Sequence, residues 1–280
     1  MRRLRSALVA AALAALAAPA AASADEAGSA TAASGAVQAT LTWKAAEIGA
    51  GDPRLVVVRA GATVFDGSPV AASQSCSEGG CSYAPSAKRS GPLQVRDLDG
   101  DGEPEVLVDA YSGGAHCCAL TEILRFTGSA YSTSEAFWGN TGYDLTDLDG
   151  DARPEFVASD DTFAGAFTSY AASFFPPLVL DYDPAASGGF RDVTRGFPSL
   201  VRKNVRRALH TLRKARRRHY ETLGIVAAYA ADLYLLGRGR EVRPYLQRAR
   251  RRGDLLAADG RAPRSYDRQL LAFLRKQGYR

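Results

Sequence analysis

Two nearly identical acidic segments, 50 residues apart, constrain this chain more than any other feature of its sequence. Residues 97–105 read DLDGDGEPE and residues 147–155 read DLDGDARPE, so seven of nine positions are identical. Apolar residues of the kind found in β-strands follow each segment. A repeat of roughly this length indicates one supersecondary unit used more than once, as in the blades of a propeller.

The acidic residues of each segment are spaced like the ligands of a calcium ion, which takes about six to eight oxygen ligands. Carboxylates at positions 1, 3 and 5 of a tight loop converge on one point, position 7 offers a backbone carbonyl, and position 9 offers a further carboxylate. We therefore predict two calcium ions. The first has the ligands Asp97, Asp99, Asp101, Glu103 (carbonyl) and Glu105. The second has the ligands Asp147, Asp149, Asp151, Arg153 (carbonyl) and Glu155.

The two segments differ at position 6, where Gly102 is replaced by Ala152. Glycine adopts the left-handed backbone that the turn requires, whereas alanine loses on the order of 1 kcal/mol there. We therefore expect the second site to be weaker or slightly reshaped. Position 12 holds Val108 or Ala158 rather than glutamate, so neither segment is a sensor-type EF-hand. The alternative is a pair of acidic surface turns, but two copies in register favour calcium.

The pattern DLDGDGxPE followed by a strand resembles the calcium loops of FG-GAP or VCBS-type repeats, which occur in integrin-like propeller blades. The resemblance covers residues 93–196, and its calcium residues fall on the positions named above. It implies blades of about four strands, with the loop joining two of them, in a family made mostly of binding and scaffold modules. Only about three blade-like units can be counted, and a closed propeller has about four or more. We therefore expect an incomplete propeller or an open β-meander.

The hydrophobic pattern divides the chain into a β-rich and a helical part. Short runs rich in Val, Ile, Tyr and Phe predict an antiparallel, calcium-binding repeat domain over residues 40–198. The predicted strands are residues 40–44, 54–60, 62–66, 104–109, 119–126, 131–138, 155–159, 178–181 and 190–194. Helical spacing starts at Leu200, and Ser199 is the predicted cap of this first helix. Further helices are predicted over residues 222–236, 240–251 and 266–276. Residues 199–280 are thus a small, basic, all-helical unit, and the fold class is α+β. Residues 25–39, which are mostly Ala, Gly, Ser and Thr, are predicted to form a flexible leader.

Residues 1–24 have the pattern of a secretory signal peptide. Three arginines precede an apolar, alanine-rich run, and Ala22-Ser23-Ala24 supplies the small residues that a signal peptidase reads. The next most apolar stretch, residues 224–237, is too short to span a bilayer and contains Asp232. We therefore expect a secreted, extracellular protein that has no transmembrane segment after processing.

Charge is distributed unevenly between the two parts. Residues 25–199 contain 10 Lys and Arg against 24 Asp and Glu, a net charge of −14. Residues 200–280 contain 22 against 6, a net charge of +16, with nine of the basic residues between Arg202 and Arg218. Either these side chains pair with the acidic β-rich part, or they bind an anionic envelope polymer or anionic lipid. Nucleic acid is not an expected partner of an exported protein.

All four cysteines lie in the β-rich part and are disulfide candidates: Cys76, Cys81, Cys117 and Cys118. Three connectivities are open, and we favour crossed pairs that join the Cys76–Cys81 loop to the Cys117–Cys118 strand. A zinc or copper site at His116 lacks paired CxxC spacing, so a structural histidine is the default interpretation. His210 and His219 are expected to face solvent.

The sequence lacks the common catalytic motifs GxSxG, HExxH and GxxxxGK[ST]. A carboxylate pair for glycoside cleavage, such as Asp160 with Asp109, remains an alternative because sequence does not give their separation. Asp160 and Asp161 can also be simple turn residues. The sequence therefore predicts an exported, calcium-stabilised, non-enzymatic binding or scaffold protein. The alternative is a calcium-dependent hydrolase that acts on envelope polymers.

Overall fold

The computed structural model describes residues 27–45, 50–69, 81–83, 91–114, 117–261 and 263–280. Within these ranges the first two-thirds of the chain form three four-stranded antiparallel sheets, each a meander whose strands pair in chain order. Sheet 1 contains β1 Gly28–Ser34, β2 Val37–Ala45, β3 Ala50–Arg59 and β4 Ala62–Gly67. Sheet 2 contains β5 Leu93–Arg96, β6 Glu105–Gly114, β7 Cys117–Phe126 and β8 Tyr131–Gly139. Sheet 3 contains β9 Tyr143–Thr146, β10 Glu155–Ser159, β11 Pro177–Tyr182 and β12 Phe190–Asp192.

Sheet 2 lies between the other two sheets and is buried on both faces. Along β6, Val106 and Val108 belong to the apolar cluster shared with sheet 1, whereas Leu107 belongs to the cluster shared with sheet 3. This division follows from the alternation of side chains along a strand. The second cluster is rich in aromatic side chains, and the rings of Trp138 and Phe156 stack with centroids 5.4 Å apart. The three predicted units are therefore packed in series through sheet 2.

The prediction of a flexible leader over residues 25–39 is wrong for the described part of that segment. Gly28–Ser34 forms β1, which pairs with β2 from Gly28↔Trp43 to Ser34↔Val37. Its small side chains alternate between exposed and half-buried positions, and Ala30 and Ala32 pack against the first cluster. Composition alone suggested a linker, but pairing with a strongly apolar neighbour decides the conformation of such a segment.

The last third of the chain is helical, as predicted: α1 Pro198–Arg217, α2 Leu223–Leu235, α3 Val242–Arg251 and α4 Tyr266–Lys276. Helix α1 starts two residues earlier than expected, so Phe197 rather than Ser199 is the N-cap residue and Ser199 lies in the first turn. Pro198 suits the first turn, where an N–H has no helical partner. Helix α2 is closed as predicted by Gly237, which follows the C-cap residue Leu236 and has a φ of 69°. Within the described ranges, no helix is long and apolar enough to cross a membrane.

The helices complete their core with side chains from the β-rich part. The segment between β10 and β11 contributes Phe163, Phe167, Phe174 and Phe175 to the apolar cluster of α1–α4. Phe163 is 2% exposed and meets Phe273 edge to face, with ring centroids 5.0 Å apart. The boundary predicted between residues 198 and 199 falls one residue inside α1, and the helical core extends across it.

Candidate metal centre

The two acidic segments occupy equivalent places in the fold. The first loop, residues 97–105, connects β5 to β6, and the second loop, residues 147–155, connects β9 to β10. Each therefore joins the first two strands of its sheet. In sheet 1 the corresponding connection is the short turn at residues 35–36, which carries no carboxylate. The internal repeat in the sequence is thus a repeat of structure.

The first loop is coiled by hydrogen bonds from its own backbone to its own carboxylates. Asp97 accepts bonds from the N–H groups of Gly100 (2.7 Å) and Gly102 (3.0 Å). The N–H of Asp101 donates to Asp99 (3.2 Å), and the N–H of Glu103 donates to Asp101 (2.8 Å). At the end of the loop, Glu105 accepts a bond of 2.9 Å from the N–H of Leu98.

The second loop repeats all five of these hydrogen bonds at the same positions. Asp147 accepts from Gly150 (2.7 Å) and Ala152 (3.0 Å). The N–H of Asp151 donates to Asp149 (3.2 Å), and the N–H of Arg153 donates to Asp151 (2.9 Å). Glu155 accepts from Leu148 at 2.7 Å. Ala152 has a φ of 71°, so alanine adopts the strained left-handed backbone that its position requires.

Both loops gather carboxylates closely enough to share one cation. In the first loop, ligand atoms of Asp97, Asp99 and Glu105 lie within 4.8 Å of one another. In the second loop, the residues gathered in this way are Asp147, Asp149 and Asp151. The predicted ligands Asp101 and Glu155 fall outside these groups. Carboxylate oxygens are ligands of hard cations such as calcium and magnesium.

The carboxyl group of Glu105 lies in the interior, where a lone negative charge is costly. Its side chain is 1% exposed. Burial raises its pKa to about 8, and the charges of Asp99 and Asp101 act in the same direction, while the hydrogen bond from Leu98 opposes them. Burial likewise raises the pKa of Glu155. A cation in the loop would favour the ionised form of each group.

A difference between the loops arises from the third strand of each sheet. Because Val106 pairs with Leu124, the next residue, Arg125, lies beside Glu105. Its guanidinium donates to Asp99 (3.2 Å) and Asp101 (2.8 Å) and lies 3.8 Å from Glu105. Phe156 pairs with Leu180 in the same way, which places Asp181 in the equivalent position beside the second loop. The first loop thus has the positive charge of Arg125 beside it, at the position where the second loop has the negative charge of Asp181.

The two loops are neighbours, and each is tied to the rest of the fold. A side chain at Gly100 would lie 2.9 Å from the Cδ atom of Arg153, so the second loop reaches across to the first. Arg153 also donates to Asp151 at 2.8 Å. Glu103 accepts two hydrogen bonds, of 2.7 and 2.6 Å, from Arg59 of sheet 1. The side chains of Glu103 and Arg153, whose carbonyls were predicted as ligands, thus fix the positions of the loops.

Several other predicted site residues have structural roles or lie outside the described residues. Asp160 caps a short 3-10 turn and accepts a 2.7 Å hydrogen bond from Tyr279, while Asp161 accepts one from the N–H of Asn140. His210 and His219 are exposed, as expected. Cys76, His116 and the side chains of Cys117 and Cys118 lie outside the description. Cys81 is buried and disulfide-bonded, and the favoured connectivity stays a prediction.

The basic side chains of α1 are exposed rather than neutralised by the sheets. All nine Lys and Arg between Arg202 and Arg218 are exposed. The described ion pairs join partners within the same part of the chain, and in α1 the described pair is Arg216 with Asp254 at 2.8 Å. Among the described residues, pairing between the basic helices and the acidic sheets therefore does not account for the charge asymmetry.

Comparison with known proteins gives partial similarities. No family model and no solved structure match the chain. It is similar to a probable thylakoid lumen protein of Synechocystis sp., with 33% identity over 153 residues, or 52% of this chain and 44% of that protein. It is also similar to an uncharacterized protein of Sinorhizobium fredii, with 32% identity over 108 residues, or 38% of this chain and 16% of that protein. The chain thus spans less than half the length of these curated relatives.

Proposed function

We propose that the chain is an exported, calcium-stabilised binding or scaffold protein. The observation that supports calcium most directly is the identical set of five backbone-to-carboxylate hydrogen bonds in two loops 50 residues apart. These bonds turn carboxylates of like charge toward one point, an arrangement that a cation would stabilise. The probable thylakoid lumen relative belongs to a compartment outside the cytoplasm, which supports export.

The role of calcium in this proposal is structural. Each ion would hold its loop closed where it joins the first two strands of sheet 2 or sheet 3. At about a tenfold excess of calcium over its dissociation constant, each site would stabilise the fold by roughly 1.4 kcal/mol. Weak affinity, on the order of 10⁻⁴–10⁻³ M, is sufficient for an extracellular module. The meanders packed through sheet 2 are compatible with propeller blades, as the FG-GAP and VCBS resemblance implies.

The exposed basic helix supports an anionic partner of the cell envelope. Side chains such as Arg202, Arg206 and Arg213 face solvent and have no described ion pair. A row of such cations attracts a polyanion through long-range electrostatics, which salt weakens. An anionic envelope polymer or anionic lipid is therefore the partner class that we propose for this surface.

Calcium is expected to raise the melting temperature of the protein by several degrees relative to chelator. The reason is that calcium binds the closed loops of the folded state and lacks a comparable site in the unfolded chain. Asp99→Asn and Asp149→Asn should each reduce the rise, because each removes one negative charge from a gathered set of carboxylates. Thermal unfolding in calcium and in chelator measures both effects.

Asp66→Asn provides a matched control, since Asp66 is an exposed carboxylate on β4 of sheet 1, bonded to Arg54 and part of neither loop. The control should retain the full calcium-dependent rise. A protein that melts at the same temperature in calcium and chelator would show that the loops are acidic turns, and the calcium proposal would fail.

Arg125→Gln is expected to make the first loop more dependent on calcium. Loss of the guanidinium leaves Asp99, Asp101 and Glu105 without their described counter-charge. The melting temperature in chelator should therefore fall by more than that in calcium, and calcium should bind the first loop at least several-fold more tightly. Calcium titration of this variant and of Arg54→Gln, whose arginine pairs with Asp66 instead, measures the effect. Equal behaviour of the two variants would contradict the assigned role of Arg125.

A further inference from the structure

An open cleft of about 890 Å³ lies where sheets 2 and 3 meet helix α1. One wall consists of a single face of α1, because Leu200, Lys203, Asn204 and Arg207 recur at helical spacing. The other wall is formed by β6, β9, β10 and the turn at residues 139–142. The first and second acidic loops lie at the ends of these strands that point away from the cleft. On β6, for example, the loop ends at Glu105, whereas the cleft residues start at Asp109. The volume is that of a small-molecule site.

The helical wall of the cleft is cationic. Lys203 and Arg207 are exposed, one turn apart, and neither forms an ion pair among the described residues. The guanidinium of Arg207 lies 4.8 Å from the centroid of the Phe174 ring, which restricts its position. Between them, the amide nitrogen of Asn204 is held by the carbonyl of Phe175 (3.1 Å) and by Asp232 (2.9 Å). This wall is thus suited to hold an anionic group.

The opposite wall carries two carboxylates, and a hydrogen-bond network holds one of them in place. Asp109 accepts from the hydroxyl of Thr121 and from that of Tyr143 at 3.0 Å, and Thr121 in turn accepts from the indole of Trp138 at 2.9 Å. Asp144 is exposed on the same wall. Tyr111 is 43% exposed and adds the apolar surface of its ring. One oxygen of Asp109 accepts both of these bonds and the other is buried, so the acceptor that this wall presents to a ligand is Asp144. An exposed acceptor favours a ligand that brings donors.

We propose that this cleft binds an acidic sugar, a hexose unit that bears a carboxylate. A simple anion would suit Lys203 and Arg207 but would be repelled by the exposed carboxylate of Asp144, and a cation would meet the reverse problem. An acidic sugar satisfies both walls, because its carboxylate pairs with the cations and its hydroxyls donate to Asp144. Its C–H face can cover the ring of Tyr111. The cleft shares no residue with the calcium loops, so this site goes beyond the proposed function.

Isothermal titration calorimetry of the calcium-loaded protein with D-glucuronate and with D-glucose tests the site. Glucuronate is expected to bind at least tenfold more tightly than glucose at low salt. Lys203→Gln and Arg207→Gln should each weaken glucuronate binding about fivefold or more, while both exposed substitutions leave the melting temperature nearly unchanged. Arg213→Gln is the matched control, since Arg213 is an exposed arginine of α1 that does not line the cleft. Its effect should stay below twofold.

Three results would overturn the proposal. Absence of glucuronate binding, or equal binding of glucose, would remove the acidic sugar as the ligand. Equal weakening by Arg213→Gln would mean that the charge of the whole helix attracts the ligand rather than this cleft. Competition by acetate or inorganic phosphate as strong as that by glucuronate would reduce the cleft to a simple anion site. Lys203, Arg207 and Arg213 lie outside both acidic loops. The rise in melting temperature with calcium therefore tests the calcium proposal separately from the sugar site.

Discussion

Replacement of Asp232 by asparagine is expected to stabilise the protein at pH 8 by roughly 2 to 5 kcal/mol. Asp232 lies in α2 and is 0% exposed. One of its oxygens accepts a 2.9 Å hydrogen bond from Asn204, and the other has no partner among the described residues. Burial raises its pKa from 3.8 to about 8, against the smaller opposing effects of Asn204 and Arg207. Asparagine keeps the shape and the bond to Asn204 without the charge.

The gain is expected to depend on pH. Between about pH 4 and pH 8 the unfolded chain releases the Asp232 proton while the folded protein retains it, so stability falls as the pH rises through this window. Below pH 4 the carboxyl is neutral in both states and the substitution should be nearly neutral. Above pH 8 the folded wild type also releases this proton, so the full cost of the buried charge lowers its stability. Urea unfolding of the wild type and of Asp232→Asn at pH 4 and pH 8 measures the difference.

The same substitution at Asp144, which is exposed on β9, serves as the control. Asp144→Asn should change the free energy of unfolding by less than about 0.5 kcal/mol at either pH. A gain for Asp232→Asn that is the same at pH 4 and pH 8 would contradict the assignment of a buried, neutral carboxyl group.

The sequence predicted the elements whose signals are local. The boundaries of α4 match the predicted residues 266–276, because apolar residues at helical spacing and the basic last turn agree there. The acidic loops were found because they repeat. Strands β5 and β9 were missed as strands, since each has only four residues and directly precedes a loop. Strand β1 was missed because its small residues gain their order from pairing with β2.

The residues that make the two loops unequal could not be found in the same way. Arg125 follows Glu105 by 20 residues, whereas Asp181 follows Glu155 by 26, so the repeat spacing does not align them. Strand pairing brings each to its loop. The difference comes from the longer connection between β10 and β11, which also supplies aromatic side chains to the helical core. Local patterns identified the carboxylates, but their neighbours depend on tertiary structure.

Phe163→Ala is expected to destabilise the protein by roughly 3 to 5 kcal/mol, the usual cost of removing a buried phenylalanine. Phe163 is 2% exposed and packs edge to face against Phe273 and Tyr279, with centroids 5.0 and 5.8 Å away. Its own segment connects β10 to β11 of sheet 3. The substitution therefore removes a contact between the sheets and the core of the helices, and urea unfolding followed by circular dichroism measures the loss.

Phe137→Ala is the matched control, because Phe137 lies on β8 with its side chain 52% exposed. It should cost less than about 1 kcal/mol, since little buried surface is lost. Both tryptophans, Trp43 and Trp138, lie in the sheets, so their fluorescence follows the β-rich part while circular dichroism follows the helices. In Phe163→Ala we expect both signals to shift to lower urea together. Equal costs for the two variants would mean that the helices have a core of their own, independent of the connection between β10 and β11.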